Sequence, residues 1–183
     1  IHDHYVSSCA GDPDRIQKAM VVCSNRKIAY ALLQKFKDKY PEWFEEKKSP
    51  DGVSVTEEEL KELKPMPFMA MVSSVGSNDE KDMYDYLGGV KNDKRSEELD
   101  AAFKQEKSNF SIVIVVDMWI TGFDVPCLTY LYNDKPLQKH TLVQTVSRVN
   151  RKYPGKDFGY IIDYIGIRNN MMEAMKQYGG DTF

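Results

Sequence analysis

The sequence predicts an α/β fold, a mostly parallel sheet with helices on both faces, and three observations carry that prediction. Five short segments are apolar almost throughout rather than alternating: Ala19–Cys23, Phe68–Val72, Ile112–Val116, Leu128–Tyr132 and Tyr160–Ile162. Strands buried on both faces of a parallel sheet read this way. Helical patterns stand between them, as in β-α-β arrangements. Polar residues also recur directly after the apolar segments, at the edge where open parallel sheets bind their ligands.

Taken in order, the chain opens at Ile1 with a helix-like stretch and reads as a piece of a longer protein. After the first strand, Ile28, Leu32, Phe36 and Tyr40 keep a four-residue spacing that marks a helix, and Pro41 stops it. Residues 41–66 look like an insertion with Ser49-Pro50-Asp51-Gly52 as its turn. Within it, Thr56 and Glu59 form a capping box for a short helix that ends before Pro65. Leu99 and Phe103 mark a helix in 93–107, and Met171, Met172 and Met175 mark one near the end. The expected organisation is one domain over 1–183, with 165–183 beginning a C-terminal helical extension. No internal repeat or low-complexity tract interrupts it.

The 183 residues suffice for one substantial domain with an ordinary core. Hydrophobic residues make up 42% and charged residues 29%, and no apolar run approaches the length of a membrane span. Cys9, Cys23 and Cys127 are odd in number and widely spaced, which favours reduced thiols over a disulfide framework or a zinc site. The net charge of −3 gives no support for nucleic-acid binding by itself. The charge is uneven, however: 134–176 hold eight Lys/Arg against four Asp/Glu, whereas 38–64 and 79–106 each hold five against nine. A basic C-terminal region beside acidic flanks leaves room for a phosphate-facing side.

The most informative residues are 117–151. Asp-Met-Trp-Ile-Thr-Gly-Phe-Asp-Val-Pro at 117–126 is a polar, glycine-containing loop after a fully apolar strand. Gln-Thr-Val-Ser-Arg-Val-Asn-Arg at 144–151 sets Gln144, Arg148 and Arg151 at i, i+4 and i+7. At about 100° per residue these share one helix face, with Leu142, Val146 and Val149 on roughly the opposite one. One face packs while the other offers two guanidiniums, which suits a phosphate ligand.

The pair resembles motifs V and VI of superfamily 2 helicases and translocases. With Leu-Tyr-Asn-Asp-Lys-Pro-Leu at 131–137 and Gly-Tyr-Ile-Ile-Asp-Tyr at 159–164, the wording is similar to the restriction (R, or HsdR) subunit of type I restriction-modification enzymes. Weaker likeness reaches back to Lys-Ala-Met-Val-Val-Cys at 18–23. The resemblance implies a three-layer RecA-like fold, the second motor domain of such a subunit. It also implies ATP and Mg2+ as cofactors and duplex DNA as the track. The implied partners are a first RecA-like domain in the same full-length chain and the methylation and specificity subunits of the complex; the implied location is the cytoplasm of a bacterium or archaeon, with no membrane involved.

The resemblance also implies roles. In the family the second Arg of motif VI reaches the γ-phosphate of ATP held by the neighbouring domain; that position is Arg151, with Arg148 beside it and Gln144 orienting the site. An arginine finger stabilises the spread negative charge of phosphoryl transfer. Ser147 stands where many relatives have Gly. Gly122 and Asp124 fall on motif V, where the Asp serves ribose or couples ATP to nucleic acid, and Gly122 allows the sharp turn. Thr121 is a candidate contact to a nucleic-acid phosphate. Ser24, Asn25, Arg26, Ser73 and Ser74 match regions that touch the nucleic-acid backbone in relatives, though each could equally cap or turn its own segment. Trp119 either stacks on a base or fills an interface. His2-Asp3-His4 looks like a metal cluster at the start of the chain, but no metal site is expected. Asp163 ends a strand in a structural role.

No Gly-x-x-x-x-Gly-Lys-Ser/Thr loop occurs in the 183 residues, so this chain alone is not expected to hydrolyse ATP. On the resemblance, the nuclease carboxylates of the family lie in a different domain. Three functional readings stay open at this point: the second motor domain of a type I R subunit, the same domain of another superfamily 2 DNA or RNA helicase, and a non-enzymatic DNA-binding module of helicase-like fold.

Overall fold

The computed structural model describes residues 1–10, 16–119, 124–137, 139–166 and 172–173. Its five strands, β1 (Lys18–Cys23), β2 (Met69–Val72), β3 (Ile112–Val115), β4 (Leu128–Asp134) and β5 (Tyr160–Asp163), form one sheet in the order β2-β3-β1-β4-β5. All four pairings are parallel. Every expected strand is present, with bounds shifted by at most two residues. The described helices are α1 (His2–Cys9), α2 (Arg26–Lys39), α3 (Glu57–Glu62), α4 (Lys81–Tyr86), α5 (Asn92–Lys104) and α6 (Lys139–Val149).

Each strand feeds two cores because successive side chains point to opposite faces. Met20, Val22, Val113, Val115 and Leu131 face α5 and α6, where Leu99, Phe103, Leu142 and Val149 wait. Val21, Met69, Met71, Ile114 and Tyr132 face the other layer, with Tyr5 of α1, Leu33 and Phe36 of α2 and Met83 of α4. Sheets covered on both sides need apolar residues at every position, which is why the strands read as unbroken runs.

The α2 face differs from the expected one. Its buried residues are Ala29, Leu33 and Phe36, while Ile28 is 44% exposed. A strict four-residue spacing drifts around a helix of 3.6 residues per turn, so the true contact face alternates steps of four and three. Thr56 and Glu59 do form a reciprocal capping box at the start of α3. The excursion over 41–66 opens with a 3-10 turn at Pro41–Phe44 and is closed by an antiparallel bridge between Lys47 and Met66. The helix expected around Met171–Met175 lies outside the described residues, apart from Met172 and Glu173.

At the amino edge of the sheet, Lys18 is wholly buried and donates Nζ hydrogen bonds to the Phe103 and Gln105 carbonyls, at 2.7 and 2.8 Å. Burial pushes its ammonium down to about 8. Lys156 repeats the device, donating to the carbonyls of Pro126 and Leu128.

Candidate functional site

Because the strands are parallel, the ends of all five open on one edge, and Ser24, Asn25, Arg26, Ser73 and Ser74 fall there. The middle of that edge is the end of β1, flanked by β3 and β4. Ser24 and Asn25 leave β1; the Asn25 side chain accepts from the Ile28 N–H at 2.9 Å and so caps α2. Arg26, the first residue of α2, reaches across to Asp79 at 2.8 Å. At the end of β2, Ser73 is 2% exposed and Ser74 is exposed. The Ser73 carbonyl accepts from the buried Asn92 amide at 2.9 Å.

After β3 the backbone turns through the left-handed region at Asp117 (φ 58) and Trp119 (φ 63), an uncommon conformation for residues other than glycine. Asp117 pairs with Lys135, which arrives from β4, so this ion pair spans the end of β1. Trp119 packs inward, its ring 5.9 Å from Phe103. Thr121 and Gly122 lie outside the described residues. Asn133, fully buried at the end of β4, donates to the Lys135 carbonyl and leaves its own side-chain oxygen without a partner among the described residues. Asp163 accepts from the Ile165 N–H, which fits a structural role.

Helix α6 carries the cationic side of the site. Leu142 and Val149 are buried and Val146 packs partly against the same core, as the sequence stripe predicts. Gln144 and Arg148 lie on the helix, but Arg151 does not: α6 ends at Val149. The expected face of three residues is therefore realised for two. Asn150 still donates to the Val146 carbonyl at 3.0 Å, after which the chain leaves for the Tyr153–Lys156 bridge and Gly159, which lies directly against the Val149 backbone. The helix stops where the chain must turn back to enter β5.

Arg151 places its guanidinium 2.5 Å from an Asp124 carboxylate oxygen, both side chains being about half exposed. Motifs separated by 27 residues are thereby joined by one ion pair. Arg148 sits partly buried, and its Nε is buried with no hydrogen-bond partner among the described residues. A buried donor left unmatched costs about 1–3 kcal/mol. Two guanidiniums, one partly buried and one held by an exposed carboxylate, can receive a phosphate group by exchange of ion pairs.

The terminal His2-Asp3-His4 run is not a chelating set. His2 bonds Asp3 and stacks on Tyr40 at 3.7 Å, while the His4 ring nitrogen lies 2.9 Å from the Tyr132 hydroxyl. No group of three or more metal-ligating side chains occurs among the described residues. Sequence reasoning missed Asp79, Asn92 and the Asp117–Lys135 pair. Arg26 and Asp79 are 53 residues apart, and no local spacing could have joined them.

Residues 16–166 match the sequence model of type I restriction enzyme subunit R domain 3. The chain is 37% identical over 165 residues to the MjaIXP type I restriction enzyme endonuclease subunit of Methanocaldococcus jannaschii, covering 90% of this chain and 13% of that protein. It is 32% identical over 168 residues to the HindI type I restriction enzyme endonuclease subunit of Haemophilus influenzae, covering 90% and 14%. The chain thus spans about one-seventh of the length of these curated relatives. Among solved structures it resembles a fragment of an HsdR subunit from Vibrio vulnificus, with a TM-score of 0.55 at 18% identity over 92% of this chain and 27% of that one. It also resembles the C-terminal domain of the DEAD-box protein Dbp5, with a TM-score of 0.51 at 15% identity, covering all of this chain and 82% of that one. These two likenesses bear on the fold, which is the RecA-like arrangement of helicase domains.

Proposed function

The chain belongs to the type I restriction enzyme subunit R domain 3 family, and from that premise we propose that it is the second motor half of an ATP-driven duplex-DNA translocase. The observation that supports this reading best is the Arg148, Arg151 and Asp124 arrangement where the end of α6 turns back toward the start of β5. On this reading a partner RecA-like domain binds ATP and Mg2+. Arg151 exchanges Asp124 for the terminal phosphate as the two domains close, and Arg148 supplies a second positive charge from a fixed position. Both stabilise the negative charge that phosphoryl transfer spreads over the phosphate oxygens.

Gln144 orients the pair from one turn earlier on α6. Asp124 has a second use in holding the finger while the domains are apart. At the carboxyl edge of the sheet, Ser24, Asn25 and Ser74 face the DNA backbone, Thr121 is a further candidate phosphate contact, and Gly122 serves the nucleotide with Asp124. Repeated closing and opening would then move the assembly along duplex DNA, in a complex with methylation and specificity subunits and with a nuclease centre on another domain. Such a complex works in the cytoplasm; no helix among the described residues is long and apolar enough to cross a membrane.

The deciding experiment is ATP hydrolysis by the full-length protein, assembled with its partner subunits, with and without duplex DNA carrying a cognate site. Arg151→Ala should lower the DNA-stimulated rate by about 10³-fold or more. Stimulation by RNA instead of duplex DNA would assign the domain to another superfamily 2 helicase. Full activity of the Arg151 variant would remove the finger role and leave a DNA-binding module.

A further inference from the structure

Arg26 is the most strongly cationic candidate for contacting DNA at the carboxyl edge, yet its surroundings point elsewhere. Its Nη2 lies 2.8 Å from Asp79 Oδ1, and the Asp79 side chain is only 4% exposed against 33% for Arg26. The second Asp79 oxygen accepts from the Gly76 N–H at 2.6 Å. The guanidinium lies close against Gly76: a Cβ there would fall 2.2 Å from Nη2 and 2.9 Å from Cζ. The other end of the same loop is held by Asn92, which donates to both the Ser73 and Leu87 carbonyls. Between these two fastenings, Ser74, Ser77 and Asn78 stand exposed, and Asn78 lines a groove with Ser24, Lys27 and Asp117.

We propose that Arg26 and Asp79 form a clamp that sets the 73–79 loop against the start of α2, making Arg26 a positioning residue for DNA rather than a phosphate contact. Two physical arguments carry it. A cation already neutralised by a buried carboxylate releases no counterion when DNA arrives, and counterion release is what a phosphate contact contributes. Withdrawing Arg26 toward a phosphate would also leave the Asp79 charge buried and unpaired, an arrangement that is strongly unfavourable. Among the described residues the free cation of the groove is Lys27, which is exposed. A side chain at residue 76 would displace the guanidinium from its seat.

The proposal rests on the DNA-translocase reading, and its test separates the two. Duplex-DNA affinity of the full-length protein would be measured across a salt series for Arg26→Ala, Asp79→Asn, Gly76→Ala and Lys27→Ala, with hydrogen exchange of the 73–79 backbone alongside. Arg26→Ala should weaken binding by about tenfold with the salt slope unchanged, and Arg26→Ala, Asp79→Asn and Gly76→Ala should each raise exchange in the loop. Lys27→Ala should lower the slope by about 0.9, the loss of one phosphate contact. Tighter binding and a steeper slope in Asp79→Asn, with a slope reduced by about 0.9 in Arg26→Ala, would overturn the clamp and make Arg26 a direct contact. Unchanged loop exchange in all three clamp variants would also overturn it. Raised exchange with DNA affinity unaltered in every variant, Lys27→Ala included, would defeat the DNA reading of this edge and the proposal with it.

Discussion

Replacing Gly159 with alanine would drive a methyl group into the backbone that ends α6. A Cβ at Gly159 falls 2.3 Å from the Val149 carbonyl oxygen and 2.6 Å from its carbon, with Val149 Cγ1 at 2.5 Å. Two of those three atoms are main chain, so no side-chain rotation relieves them. To reach ordinary contact, either the approach to β5 or the last turn of α6 must retreat by about 1 Å, and overpacking of this kind costs about 1–3 kcal/mol. At this chain length each kcal/mol lowers the melting temperature by roughly 2–4 °C. The same retreat would move Arg148 and Arg151, which flank Val149, and a displacement of about 1 Å in a positioning element can cost on the order of 100-fold in rate. Thermal unfolding and DNA-stimulated ATP hydrolysis of the Gly159→Ala protein measure both effects. Adding Val149→Ala should not restore stability, because the carbonyl clash survives. Wild-type melting in Gly159→Ala, or rescue by the second substitution, would refute the argument.

Three further outcomes follow from the same geometry. Lys18 has its folded-state pKa lowered to about 8 against 10.5 for the free side chain, so between those values the unfolded chain holds the extra proton and stability rises with pH. The rise amounts to roughly 3 kcal/mol across that window, and Lys18→Met should abolish it in denaturant titrations at pH 7.5 to 10.5, whatever it does to stability at neutral pH. Burial pushes the Cys23 thiol up to about 11 and raises that of Cys127, whereas Cys9 is half-buried. Alkylation of the native protein at pH 8 followed by mass mapping should therefore label Cys9 alone, with the other two reacting after unfolding. Finally, Arg148→Lys replaces the unmatched Nε with a methylene while keeping the charge, so it should hold or raise the melting temperature yet lower ATP hydrolysis in the full-length protein; a clear loss of stability would show that Nε finds a partner after all.

The parts of the fold legible from sequence are those set by local rules. Unbroken apolar runs gave the strands because burial on two faces leaves no polar position, and the Thr56–Glu59 capping box is complete within four residues. The stripe of Leu142 and Val149 survives because α6 is regular up to Val149. What escaped depends on distance in the chain. Lys18 adjoins a strand whose apolar run begins at Ala19, and nothing local reveals the carbonyls of Phe103 and Gln105 that take its ammonium. The Arg26–Asp79 clamp and the Asp117–Lys135 pair each join segments that the sheet order brings within reach across one intervening strand. Arg151 is a subtler case: its spacing from Arg148 suits a helix face, but the helix gives way two residues too soon.

That early ending separates the two arginines in kind. Arg148 is fixed by the regular turns of α6 and has a donor buried without a match, so its position is determined before any ligand arrives. Arg151 lies past the last helical residue, and within the described structure its guanidinium is held by the exposed Asp124 carboxylate. An ion pair with both partners about half exposed contributes little, about 0–1 kcal/mol, so a phosphate can displace Asp124 at small cost. Irregular backbone after Val149 then gives the side chain the freedom to make that exchange, while the close contact between Gly159 and Val149 keeps its origin fixed. On the proposed finger role, closing on nucleotide and letting go in each cycle needs a firmly seated base and a weakly held tip, and the residues around the end of α6 fit both needs.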